Sequence, residues 1–210
     1  MARIVQIIQR REVFQRFIFR IEEAALRHEK YDGALSEEIT RLVMQRGDAV
    51  AMLLFDPALR VVLLCEQFRF PAYDKGPGWL LELPAGILEP NEEAESCARR
   101  EIMEETGYEA KALQLITRVY MSPGGSSERI YIFYGEVDLN RQTGSGGGLA
   151  HENEDIKNVL MPLSEAIAMA HDGRLEDAKT VIAILWLECR QNILAATDSA
   201  TPRNLLSCSG

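Results

Sequence analysis

No apolar run in the chain approaches the roughly 20 residues that cross a bilayer as a helix, so no membrane-spanning helix is expected. No cysteine pair has the CxxC spacing of a zinc site. Cys65, Cys97, Cys189 and Cys208 are scattered and read as reduced thiols of a cytosolic protein. Basic residues are in deficit, 23 Lys+Arg against 32 Asp+Glu, for a net charge of −9. A phosphate backbone needs a basic footprint, so nucleic acid is a poor partner. The opening MARIVQIIQRREVF lacks a long apolar core and a small-residue cleavage site, so no secretory signal is expected. The expectation is a soluble, cytoplasmic protein without internal repeats.

What is present is enough apolar content, 47% of 210 residues, for one substantial core and a small appended lobe. Residues 3–8, 13–21 and 38–44 have strand character, with a turn at Tyr31-Asp32-Gly33. Residues 49–55 and 60–65 are apolar strands joined at Asp56-Pro57-Ala58, and 79–83 is a short strand. From Asn91, a candidate N-cap, the period becomes helical and ends at Thr106-Gly107. Further strands are expected at 112–120, 129–137 and 158–161. Helices are expected at 164–171 and 178–190, the second with a stripe of Ile182, Leu185 and Trp186. The run Gly144-Ser145-Gly146-Gly147-Gly148 reads as a mobile loop.

Glu101, Glu104 and Glu105 fall at i, i+3 and i+4 of the first helix and so share a face. Three carboxylates there repel one another in a bare helix, but they offer the oxygen donors that a hard divalent cation takes. A solvated acidic face is the alternative for this segment alone. Arg100 can reach a neighbouring carboxylate and fix its orientation.

The whole segment from Gly86 to Tyr108 resembles the Nudix box, G-x5-E-x7-R-E-U-x-E-E-x-G-U, where U is bulky and apolar. Gly86, Glu92, Arg100, Glu101, Ile102, Glu104, Glu105 and Gly107 are in register, and Tyr108 stands where an aliphatic residue is more usual. By this resemblance Glu101 and Glu105 are the main Mg²⁺ ligands, with Mn²⁺ a possible substitute. Glu104 assists and the Ala85 carbonyl is a further ligand, while Arg100 belongs with the catalytic residues. Pro123, fifteen residues past Tyr108, sits in Ser122-Pro123-Gly124-Gly125-Ser126-Ser127-Glu128-Arg129. Together with Glu66-Gln67-Phe68-Arg69, Glu82-Leu83-Pro84-Ala85-Gly86 and Glu152-Asn153-Glu154-Asp155-Ile156, this is similar to the ADP-ribose pyrophosphatase group of the family.

Hydrolysis needs a base for the attacking water, and a carboxylate can serve. The resemblance makes Glu152 the first candidate, with Glu154 the alternative or an extra metal ligand. It places Arg41, Arg69 and Glu82 near the substrate; Gly86 and Glu128 are counted with them. Arg46 is a further cation beside the acidic segment. Phe17 or Phe19 could stack on adenine, or be half-buried strand aromatics.

The implied fold is α/β: a Nudix α/β/α sandwich around a mixed β-sheet, with an N-terminal antiparallel β lobe. Residues 1–47 would form the lobe, exchanged between the subunits of a homodimer. Residues 48–195 would form the hydrolase domain and 196–210 a flexible tail. The implied activity is Mg²⁺-dependent cleavage of ADP-ribose to AMP and ribose 5-phosphate. Tyr120-Met121-Ser122-Pro123-Gly124-Gly125 is also similar to GDP-mannose hydrolases, which leaves another nucleoside diphosphate sugar as an alternative. A non-catalytic module that senses nucleotide sugars is the alternative from a different class.

Overall fold

The computed structural model describes residues 3–200. Strands β1 (Val5–Arg16), β2 (Phe19–His28) and β3 (Ile39–Gln45) form an antiparallel sheet in that order. The remaining strands are β4 (Ala49–Asp56), β5 (Val61–Phe68), β6 (Trp79–Glu82), β7 (Ala85–Ile87), β8 (Leu113–Tyr120), β9 (Arg129–Glu136) and β10 (Lys157–Pro162). They form a second sheet on the path β10-β5-β4-β9-β8, with β6 beside β5 and β7 beside β4. β4 runs parallel to β9 and antiparallel to β5 and β7, so this sheet is mixed. The helices are α1 (Phe70–Tyr73), α2 (Ala94–Glu101), α3 (Leu163–Asp172) and α4 (Ala178–Ala200).

β4 reads AVAMLLFD and is buried at every position. A strand covered on both faces has no polar side, so it shows a continuous apolar run rather than alternation. Successive side chains point to opposite faces. Ala51, Leu53 and Phe55 pack with Leu163, Ala166, Ile184 and Leu187 of α3 and α4. Val50, Met52 and Leu54 pack with Cys97, Ala98 and Ile102 on the other face. This is the α/β/α sandwich that the sequence implies.

Several local expectations are corrected. The strands expected at 3–8 and 13–21 are one long strand, β1, and the beginning of β2, joined by a turn at Phe17 and Ile18. That turn carries no Gly, Asn or Asp; Phe17 takes φ 53° instead. The long ladder from Val5↔His28 to Arg16↔Phe19 sets its place. Asn91 has φ 68° and lies in a turn, so Glu93 rather than Asn91 is the N-cap of α2. Among the described residues of α4 the buried ones are Lys179, Thr180, Ala183, Ile184 and Leu187, while Ile182 is exposed and Trp186 packs on Tyr134 at 5.5 Å. The buried stripe lies about one residue out of phase with the expected one. α4 also continues to Ala200, past the expected tail boundary at 196; positions 201–210 lie outside the described residues.

The small sheet is tied to the large one where Met44 N–H donates to the Gly125 carbonyl at 2.8 Å and Ser127 N–H to the Met44 carbonyl at 3.1 Å. Ile18 and Phe19, where the turn from β1 enters β2, line the cavity described next.

Candidate active site

α2 lies beside β7, and the approach is possible because residue 86 has no side chain. A Cβ there would come within 1.9 Å of the Glu101 carboxyl group. Beyond Glu101 the helix widens into a π-helical turn, Ile102–Thr106, closed by Gly107 at φ 74°. Such turns recur at functional sites because they re-aim side chains. Here the turn buries Glu105, which is 3% exposed, and its Oε2 accepts a bond from the Ala85 N–H at 2.9 Å. Glu101 and Glu104 stay at the surface of the cavity.

Arg100 organises this wall. Its Nε and Nη2 donate to the two oxygens of Glu92, both at 3.1 Å. Its Nη1 donates to Glu101 Oε1 at 2.7 Å and Glu104 Oε2 at 3.0 Å. The fork holds the Glu92 carboxyl down at about 2. Glu105 behaves in the opposite way. Burial pushes it up to about 8; the Ala85 N–H works against that, and the charges of Glu101 and Glu154 add to it. Glu101 is also raised, by burial first, with Arg100 opposing and Glu104 and Glu154 reinforcing.

Carboxylates that raise one another in a half-closed cavity suit a cation between them. The donors are hard oxygens, which fits Mg²⁺ rather than a soft metal. Among the described residues no three acidic, His or Cys side chains already converge at ligand spacing. Arg100 holds one oxygen of Glu101 and one of Glu104, which leaves the second oxygen of each for a cation.

The cavity has a volume of about 710 Å³. In the same cavity, Arg69 Nε and Nη2 form a fork on Glu82 at 3.1 and 2.9 Å. Lys179 Nζ donates to Glu82 Oε2 at 3.0 Å and to Asp177 Oδ1 at 2.8 Å. Burial alone would raise Glu82, but Arg69 and Lys179 outweigh it and hold the carboxyl below its usual range. At the mouth, Arg46 Nε lies 3.4 Å from Glu128 Oε1, close enough for an ion pair but not aligned for a hydrogen bond.

Of the residues expected from sequence, Arg69, Glu82, Ala85, Gly86, Arg100, Glu101, Glu104, Glu128 and Glu154 line this cavity, and Glu105 stands directly behind Ala85. Arg41 does not line it; it sits exposed on β3 and donates to the Thr40 carbonyl. Glu152 closes a short 3-10 turn, Ala150–Glu152, and its side chain lies outside the described residues. Phe19 lines the cavity beside Ile18, whereas Phe17 is 84% exposed at the turn.

The glycine run before Glu154 is docked, not free as its composition suggests. Gly147 N–H donates to the Glu105 carbonyl at 2.8 Å and Gly148 N–H to the Glu104 carbonyl at 3.1 Å. A Cβ on Gly146 would lie 2.6 Å from the Thr106 carbonyl carbon, so the glycines allow a close approach. The loop is thereby fixed to the same π-helical turn that carries the carboxylates. Leu149 N–H then donates to Glu154 Oε2 at 2.9 Å.

Sequence reasoning missed Lys179 and Asp177. A signal existed: lysine in the first turn of a helix faces the positive end of its dipole, which calls for a reason outside the helix. It also gave Glu92 no task beyond its place in the motif.

The family model described as "NUDIX domain" matches residues 45–184. The chain is similar to the ADP-ribose pyrophosphatase of Escherichia coli strain K12, 39% identical over 191 residues that cover 90% of each chain. It is also similar to the GDP-mannose pyrophosphatase of Pectobacterium atrosepticum, 44% identical over 146 residues, 69% of this chain and 74% of that protein. A crystal structure described as ADP compounds hydrolase superimposes with a TM-score of 0.68 at 20% identity, covering 89% of this chain and 95% of that one, which shows the shared fold.

Proposed function

Because the chain belongs to the NUDIX family and is a Nudix pyrophosphohydrolase, we propose that it hydrolyses ADP-ribose to AMP and ribose 5-phosphate with Mg²⁺. One observation carries the choice of substrate. The likeness to ADP-ribose pyrophosphatases extends over 90% of the chain, whereas that to the GDP-mannose enzyme of Pectobacterium atrosepticum extends over 69%.

Water attacks one phosphorus, the bridging P–O bond breaks, and the water's proton passes to a carboxylate. Mg²⁺ held by Glu101, Glu104, Glu105 and the Ala85 carbonyl would polarise the P–O bonds and acidify that water. Arg100 keeps Glu101 and Glu104 aimed at the cavity by holding one oxygen of each. Arg69, locked on Glu82, presents its remaining N–H groups to the diphosphate. Glu152 is the first candidate for the base; Glu154, which lines the cavity, is the second.

The lobe, residues 1–47, would pack on a second subunit. In the single chain β1 is exposed at every position, including Ile7, Ile8 and Phe14. Such a dimer would let Arg41, away from its own cavity, serve the partner's site. Cytoplasmic placement suits the buried free thiols of Cys65 and Cys97, and among the described residues no helix is long and apolar enough to cross a membrane.

GDP-mannose is the second reading, favoured by the 44% identity to the Pectobacterium enzyme. The test is product analysis with Mg²⁺ and, separately, ADP-ribose, GDP-mannose and ADP-glucose. Fastest release of AMP from ADP-ribose is expected. Faster cleavage of GDP-mannose would transfer the assignment. Tight binding without turnover of any of them would mark a sensing module.

A further inference from the structure

We propose that Lys179 is a second cationic contact for the diphosphate of the substrate, set beside Arg69 at Glu82, and that Asp177 positions it. The inference rests on reading this cavity as the nucleoside diphosphate sugar site. Lys179 lines the cavity with a side chain only 9% exposed. An ammonium group carries three donors. Glu82 and Asp177 take two, and the third has no partner among the described residues. The Arg69 guanidinium carries five donors, of which Glu82 takes two. The two cations therefore share one carboxylate, and each keeps unused N–H groups.

Charge explains why such a pair is useful. Glu101, Glu104 and Glu154 line the same cavity and repel a diphosphate. Phosphate oxygens not bound to a cation there need other donors in the cavity. Glu82 and Asp177 neutralise Arg69 and Lys179 before substrate arrives, so the protein does not bury two bare charges. Stability alone gives no reason for the arrangement, since apolar replacements of buried ion pairs are often neutral or stabilising. The lysine also faces the positive end of α4, an unfavourable place for a cation.

Asp177 fixes the geometry. Its Oδ2 accepts bonds from Thr180 N–H at 3.0 Å and Thr180 Oγ at 2.5 Å, which leaves Oδ1 for Lys179. Thr180 Oγ in turn accepts the Leu83 N–H at 2.8 Å, next to Glu82. The start of α4 and the end of β6 are thereby joined, and the lysine is held at the carboxylate that Arg69 grips.

The test is a double-mutant cycle read by calorimetric binding of α,β-methylene-ADP, which cannot be cleaved at its bridge, with adenosine as the uncharged reference and Mg²⁺ present. Lys179→Met should weaken the analogue about ten-fold or more, as loss of a charged hydrogen bond does, and leave adenosine unchanged. It should still weaken the analogue in an Arg69→Gln background, by a different factor because the two cations share Glu82. Asp177→Asn should weaken the analogue in the wild type but not in Lys179→Met. If Lys179→Met does not fold, Lys179→Gln, which keeps a donor for Glu82 and removes the charge, is read in the same way. An effect that vanishes in the Arg69→Gln background would show that Lys179 acts only through Arg69 and overturn the contact. Equal weakening of adenosine, or no weakening, overturns it too. A wild type that neither binds the analogue nor cleaves a nucleoside diphosphate sugar removes the reading of the site itself, and the proposal with it.

Discussion

Glu105 makes stability depend on pH in a direction opposite to that of a paired carboxylate. Its carboxyl rises from an ordinary 4.5 to about 8 because it is buried, with Glu101 and Glu154 nearby. Between those two values the folded protein holds a proton there that the unfolded chain has released. The unfolded state then binds fewer protons, so stability falls as pH rises, with a slope near 1.4 kcal/mol per pH unit. Between pH 5 and 7 this amounts to about 2–3 kcal/mol at most, or roughly 5–10 °C in Tm for a chain of this size. A divalent cation favours the ionised carboxylate and should flatten the slope. The assay is thermal unfolding across pH 5–8 in chelator and in excess Mg²⁺, for the wild type and Glu105→Gln. The amide of that variant keeps an oxygen for the Ala85 N–H but cannot titrate. The wild type in chelator should lose Tm across this window, and both the variant and the Mg²⁺-loaded protein should lose much less. Mg²⁺ binding at pH 7 should also release close to one proton, measurable by calorimetry in buffers of different ionisation enthalpy. If wild type and Glu105→Gln show the same pH dependence in chelator, the buried-carboxyl argument is wrong.

Three other outcomes are expected. Gly86→Ala places a methyl 1.9 Å from the Glu101 carboxyl, so Glu101 must move; kcat should fall about 100-fold with little change in Tm, and activity within about three-fold of wild type would refute the close-packing argument. Thr180→Val leaves the Leu83 N–H buried without its acceptor and should cost about 1–3 kcal/mol in urea unfolding; a cost below about 0.5 kcal/mol would show that the bond is replaceable. Of Glu152→Gln and Glu154→Gln, one should lower kcat by about 10²–10⁴ with KM little changed; if neither does, the base lies elsewhere.

The sandwich was legible because its signals are local and strong. β4 and β5 are apolar runs joined at Asp56, whose Oδ1 accepts the Ala58 and Leu59 N–H groups at 2.9 and 3.0 Å. Gly107 ends the helical segment that begins in α2 as expected, at φ 74°. The antiparallel N-terminal lobe was legible, but the turn between β1 and β2 was not, since the ladder rather than a turn residue forces φ 53° on Phe17. Helical periodicity also ran through residues 102–106 without revealing a π-helical turn. A wider turn changes which carboxylate is buried, not which residues are present. The glycine run failed for a related reason: composition gives freedom, and only packing shows that the freedom is used to approach Thr106.

The candidate site divides along the same line. Its acidic wall was visible because one helix and its flank carry Glu92, Arg100, Glu101, Glu104 and Glu105, so spacing alone brings them together. Its basic wall was only half visible, because Arg69 and Glu82 on one side and Asp177 and Lys179 on the other are nearly a hundred residues apart in sequence. No periodicity links them; they meet because Thr180 ties α4 to the end of β6 through the Leu83 N–H. A site that must bring an anion to a cluster of carboxylates needs both walls. The wall built from long-range contacts is therefore where the spacing of residues says least and the packing of α4 decides most.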